Sequence, residues 1–239
     1  MKKFKTLVST ASVLGATLIS SGAVFAASTT SSESNANTPI TTTLQAPSNP
    51  TNPTPPQPDG AGQSGNSNNA NNNVSGTFGI AYQPKSFSFE TNDLKSTGAQ
   101  SITATNPHNA PYNVGVKDMT HDNKGWTLTA KLTWKGNAIP GATIGTTNAN
   151  GTVNKNINKG NGSNFNSSSD LVPATGVIGT HNLSINTSAT KVMEGVAGEI
   201  HNAVYDYALG TVTLDIPDTS TVVAGTYSGN VNWNLQVTP

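Results

Sequence analysis

From Gly125 to Trp134 the chain reads "GWTLTAKLTW". Trp126, Leu128, Ala130, Leu132 and Trp134 alternate strictly with Thr127, Thr129, Lys131 and Thr133. A helix would scatter these apolar residues around its circumference, whereas a strand sends successive side chains to opposite faces. The pattern therefore demands a half-buried strand with one wet face, the habit of antiparallel sheets. It recurs in "SFSFE" (Phe87, Phe89) and in "TVTLDIP" (Val212, Leu214, Ile216). In the closing "TYSGNVNWNLQVTP", Tyr227, Val231, Trp233, Leu235 and Val237 oppose Asn230, Asn232, Asn234, Gln236 and Thr238. Short runs of this kind, separated by Gly, Asn, Pro and Asp, predict an all-β domain over residues 76–239. The expected architecture is an antiparallel β-sandwich, immunoglobulin-like or related.

The rest of the chain has other patterns. Residues 1–26 combine three early lysines, an uncharged apolar stretch and the small residues Val24 and Ala26 at its end, which reads as a secretory signal peptide. Residues 27–75 are Ser, Thr, Asn, Pro and Gly with almost nothing apolar, which predicts a disordered linker, stiffened from Pro47 to Pro58 by polyproline geometry. Asn148 to Asp170 reads as a long polar surface loop. "KVMEGVAGEIHNAVYDYAL" (Lys191 to Leu209) has apolar residues near helical spacing, but Gly195 and Gly198 oppose a helix, so it reads as a loop with one helical turn.

Charge narrows the function. All 12 basic residues are lysines, and without the leader nine lysines face 12 acidic residues, a net charge of −3. Such a chain lacks the electrostatic footprint for nucleic acid or for an anionic membrane, and the same holds for simple charge attraction to an anionic wall polymer. With no cysteine, no disulfide braces the fold and a hydrophobic core must hold it. No apolar run of about 20 residues follows the leader, so no transmembrane segment is expected in the mature chain.

Catalytic and metal signals are sparse. The four histidines show no ligand spacing, and no nucleophile elbow, phosphate loop or zinc-protease motif occurs. Asp118 to Asp122 reads as a turn using aspartate side-chain hydrogen bonds rather than as a metal site. Neither cofactor nor metal is expected, and no motif calls for an enzyme. A carboxylate pair that meets only in the fold stays open, with Asp206 and Glu199 as its candidates. "LVPATG" (Leu171 to Gly176) imitates a sortase signal, but Val172 precedes the proline and no hydrophobic span or basic tail follows, so it reads as a loop.

Two tripeptides, Trp126–Thr127–Leu128 and Trp233–Asn234–Leu235, then line up, one inside the domain and one beside the C-terminus. With "VKDMT" before the first, "GATI" after it, and "VTLDIP" and "AGTYSG" leading into the second, the chain resembles the WxL-domain surface proteins of Gram-positive bacteria over residues 76–239. The resemblance implies a secreted, non-enzymatic protein on the cell surface, attached non-covalently to the cell wall through peptidoglycan. It also implies assemblies with other WxL proteins and membrane-anchored companions. A subunit that binds such companions or host ligands, rather than the wall itself, stays open.

The motif residues Trp126, Leu128, Trp233 and Leu235 are the candidate binding residues. Because Trp and Leu two apart continue an apolar row, both pairs are expected to face the core, the alternative being indoles exposed to stack on sugars or a partner. Trp134 lies about 27 Å from Trp126 along an extended strand and is expected to run out of core. It is the first candidate for an exposed aromatic, followed by Tyr205 and Tyr207.

Overall fold

The computed structural model describes residues 38–48, 50–160, 164–200 and 202–238. The leader read at residues 1–26 lies outside them. Two compact units divide the chain, Met1–Leu44 and Gln45–Pro239. Of the first, residues 38–44 are exposed and form no helix or strand.

The second unit carries β1 (Asn69–Asn71), β2 (Phe78–Pro84), β3 (Gln100–Thr103), β4 (Asn113–Asp118), β5 (Trp126–Trp134), β6 (Thr143–Gly145) and β7 (Val153–Asn156). It continues with a single helical turn at Ser167–Asp170, then β8 (Leu171–Pro173), β9 (Val177–Gly179), β10 (Ser184–Ile185), β11 (Thr190–Gly195), β12 (Ala203–Ala208), β13 (Thr213–Ile216) and β14 (Gly229–Val237). The strands form one six-stranded sheet, β1-β2-β4-β12-β7-β8, and two four-stranded sheets, β10-β6-β13-β3 and β14-β5-β11-β9. Every described pairing is antiparallel. The all-β antiparallel class expected from the alternation therefore holds, and side chains from all three sheets meet in one buried cluster.

The cluster is built as the alternation requires. Trp126, Leu128, Ala130 and Leu132 of β5 are buried, while the intervening Thr127, Thr129, Lys131 and Thr133 are not. Val212, Leu214 and Ile216 are likewise buried, with Thr213 and Asp215 turned outward. Trp126 is held most firmly. Its indole packs on Tyr205 with ring centroids 5.7 Å apart, and its Nε1 donates to Asp118 Oδ2 at 3.1 Å. A Cβ on Gly195 would sit 2.6 Å from that indole, so the partner strand needs glycine there. Asp118 also accepts from the backbone N–H and hydroxyl of Thr120, and Asp122 from the backbone N–H of Lys124, the turn hydrogen bonding expected of this stretch.

Five segments depart from the sequence reading. "KVMEGVAGEIHNAVYDYAL" is not a loop but two strands, β11 and β12, joined by a turn. Alternation is lost in β12 because both its faces are covered: Tyr205 and Tyr207 enter the core, while Val204 and Asp206 are also buried. A strand covered on both sides carries no period-two signal. Asn148 to Asp170 is not only a surface loop, for β7 lies inside the six-stranded sheet between β12 and β8, and Leu171–Pro173 of "LVPATG" forms the edge strand β8. "SFSFE" keeps its alternation in burial but pairs in no ladder; Ser88 O accepts from Thr105 N at 2.8 Å.

The largest departure concerns the linker. Residues 38–48 are exposed and free of regular structure, but from Pro50 onward the segment is docked on the domain. Pro53, Pro55, Pro56 and Gln57 are buried, as are Ser67, Asn68 and Asn69, the last opening β1. Lys117 Nζ, on a residue with no exposed surface, donates to Pro50 O at 2.6 Å, Asn52 Oδ1 at 2.9 Å and Val74 O at 2.9 Å. Asn156 Nδ2 donates to Thr54 O at 2.8 Å, and Asn69 Nδ2 reaches Pro56 O and Pro111 O, each at 3.1 Å. Apolar content was the wrong measure here. Proline rings bury without unpaired donors, and asparagine amides satisfy the backbone that an irregular segment leaves open.

Candidate functional site

β5 and β14 are paired in full register, with Trp233 opposite Ala130, Leu235 opposite Leu128 and Val237 opposite Trp126. The two motifs thus lie on neighbouring strands, with their apolar residues on one face. Their burial differs sharply: Trp126 is 1 % exposed and Leu128 fully buried, whereas Trp233 and Leu235 are half-buried. The expectation that both pairs are core therefore holds for the first and is corrected for the second. The reason is position, since β5 is flanked by β14 and β11 while β14 is the last strand of its sheet.

Trp233 faces a cleft of about 890 Å³. Its apolar wall comes from Leu132 and Trp134 of β5, Val231 of β14, and Ile102, Ile144, Leu214 and Ile216 of the facing four-stranded sheet. Two irregular segments complete it: residues 85–94, with Phe87 and Phe89, and residues 222–228, with Tyr227. Trp134 and Tyr227 meet edge to face at 6.2 Å, and Tyr227 is oriented by its hydroxyl donating to Val223 O at 2.6 Å. Phe87 is fixed edge-on against Tyr112 at 5.2 Å. Trp134 is half-buried, and its indole N–H is buried with no acceptor among the described residues. Its placement at the limit of the core agrees with the strand-length argument.

Polar groups stand among these rings. Ser86, Ser88, Glu90, Asn92, Asp93 and Asn230 all line the cleft. Aromatic faces combined with hydroxyl, amide and carboxylate groups suit a ligand that is apolar on its ring faces and rich in hydroxyls at its edges, such as a sugar chain. The volume lies within the range of about 300–1,000 Å³ common for ligand clefts.

Tyr205 and Tyr207, expected as exposed aromatics, are fully buried and stand outside this cleft. Tyr205 supports Trp126, and the Tyr207 hydroxyl donates to Thr180 O at 2.5 Å. Burial raises the Tyr207 phenol to about 12. Asp206 between them has no exposed surface and accepts from Tyr82 Oη at 2.7 Å and Asn113 Nδ2 at 2.8 Å. Burial pushes its carboxyl up to about 7, against the lowering pull of those two hydrogen bonds. A carboxylate sealed in this way cannot touch a substrate, which removes Asp206 from the pair of acids left open by the sequence.

In the sequence Phe87, Phe89 and Tyr227 stand only as members of apolar rows. The available signal was their mismatch: alternating aromatics next to Ser, Gly and Thr, in stretches too irregular to be central strands. Among the described residues no three His, Asp or Glu side chains converge as a metal site, and no helix is long and apolar enough to cross a membrane.

A family model described as a WxL domain, surface and cell wall-binding, matches residues 26–239. No curated protein matches the chain, and no solved structure does.

Proposed function

Since the chain belongs to the WxL family of surface, cell-wall-binding domains, we propose that it holds the wall non-covalently by laying a glycan segment of peptidoglycan in the aromatic cleft. The observation that carries this reading is the convergence of Phe87, Phe89, Trp134, Tyr227 and the motif residue Trp233 on one cleft. Stacking on sugar faces exploits apolar contact and the ring quadrupole, so it needs no net positive charge. The protein acts as an adhesive module and not as an enzyme, and it works outside the cell after removal of its leader.

Sedimentation with purified, protein-free cell walls tests the proposal. The unaltered chain should pellet with the walls, and Phe89→Ala or Tyr227→Ala should weaken binding by about tenfold or more while the fold survives. Equal binding by both folded variants would remove the cleft from the account. A chain that pellets only with walls retaining their proteins would have a companion protein as its direct ligand.

A further inference from the structure

The outer edge of β14 is open. Two bonds at the ends of the β5–β14 ladder establish which backbone groups face inward: Lys135 N donates to Ser228 O, and Thr238 N to Gly125 O, each at 2.8 Å. Residue pairs bonded this way recur at every second position of an antiparallel ladder. The even-numbered residues of β14 therefore turn their N–H and C=O toward β5. Gly229, Val231, Trp233, Leu235 and Val237 turn theirs away, where no described residue accepts or donates.

Natural sheets protect such edges with charge, proline, a bulge or shortness. "GNVNWNLQV" has no charge and no proline, runs nine residues, and pairs with β5 without a register shift. An edge this long and this bare is a template for another strand.

Its sequence indicates which one. Trp233 is the central residue of β14, and the strand reads nearly alike in both directions from it: Asn232 against Asn234, Val231 against Leu235, Asn230 against Gln236. We propose that two copies of this chain join edge to edge through β14, antiparallel about a twofold axis at Trp233, into one continuous eight-stranded sheet. The open N–H and C=O groups of Val231 then pair with those of Leu235 in the second copy, and those of Trp233 with their own counterparts. On the outer face, Asn232 stands opposite Asn234 of the second copy, so amides meet amides and no like charges oppose. An isologous contact needs this self-complementarity, because every residue must suit its symmetry mate. A twofold axis normal to the sheet also keeps both clefts on the same side.

Sedimentation equilibrium of the purified chain tests this. A concentration-dependent dimer should appear by about 100 µM. Asn232 and Asn234 are exposed and point away from the core, and across the ladder to β5 they stand opposite Lys131 and Thr129, so a glutamate at 232 meets a lysine of its own chain rather than a like charge. The double variant Asn232→Glu/Asn234→Glu places like charges opposite one another across the seam and should weaken the dimer by about tenfold or more. Asn232→Glu/Asn234→Lys places opposite charges there and should restore it, with melting temperatures confirming that both variants are folded. A monomer at every concentration would overturn the proposal. So would a dimer indifferent to these charges, or one that the opposite-charge pair fails to restore.

Discussion

The buried carboxyl of Asp206 makes the stability of the domain fall as pH rises, and the size of the fall follows from its surroundings. Burial moves its pKa from the ordinary 3.8 to about 7. Below about pH 4 the folded and unfolded chains both hold the proton and the full stability is present. Above that the unfolded chain gives up its proton while the folded chain keeps it, so stability falls by about 1.4 kcal/mol per pH unit until the folded group titrates near pH 7. The total, about 4 kcal/mol, is a large part of the roughly 5–15 kcal/mol that holds a typical domain together. Urea unfolding followed by tryptophan fluorescence, from about pH 4 to about pH 8, measures it. The unaltered chain should lose stability steadily across this window and level off above it. Asp206→Asn, which keeps the shape but cannot ionise, should abolish the slope even if its absolute stability is lower. A level profile for the unaltered chain, or a slope that persists in the asparagine variant, would refute the argument.

The two motif tryptophans should separate by stability: Trp126→Ala should cost about 3–5 kcal/mol and Trp233→Ala about half as much, read from melting curves. Equal losses would contradict the burial difference between β5 and β14. Lys117→Met keeps the apolar stem but leaves the Pro50 carbonyl and Asn52 Oδ1 without their donor, while Val74 O keeps only Asn52 Nδ2. It should cost about 2–3 kcal/mol and open residues 50–75 to limited proteolysis. Wall binding should persist above about 0.3 M NaCl, where exposed charges are screened beyond a few ångströms; release at that salt would mean that charge dominates after all.

The alternation was informative wherever one face of a strand meets the core and the other meets water. That condition holds for β5, β13 and β14, so the strands carrying both motifs and the strand facing them were legible from residue order alone. The family resemblance rested on the same stretches. β12 and β7 were not legible, because burial on both faces of β12 erases its alternation, and because the polar residues of β7 and its neighbours are satisfied by partners distant in the chain. The docked Pro50 to Asn69 segment was misread for a related reason: local composition records how much apolar surface a stretch has, not which carbonyls a buried Lys117 or Asn156 will reach.

By itself, then, the sequence determined the class of fold, the absence of disulfides, the lack of any arginine and the two paired motifs, all of which depend on residue identity or on spacing along one strand. Only the tertiary structure decided that Trp126 is core and Trp233 is cleft. The difference arises because β5 has a strand on each side and β14 has one. Phe87 and Phe89 are brought to Trp134, Tyr227 and Trp233 by the packing of two sheets, and no local pattern encodes a meeting between side chains so far apart in the chain.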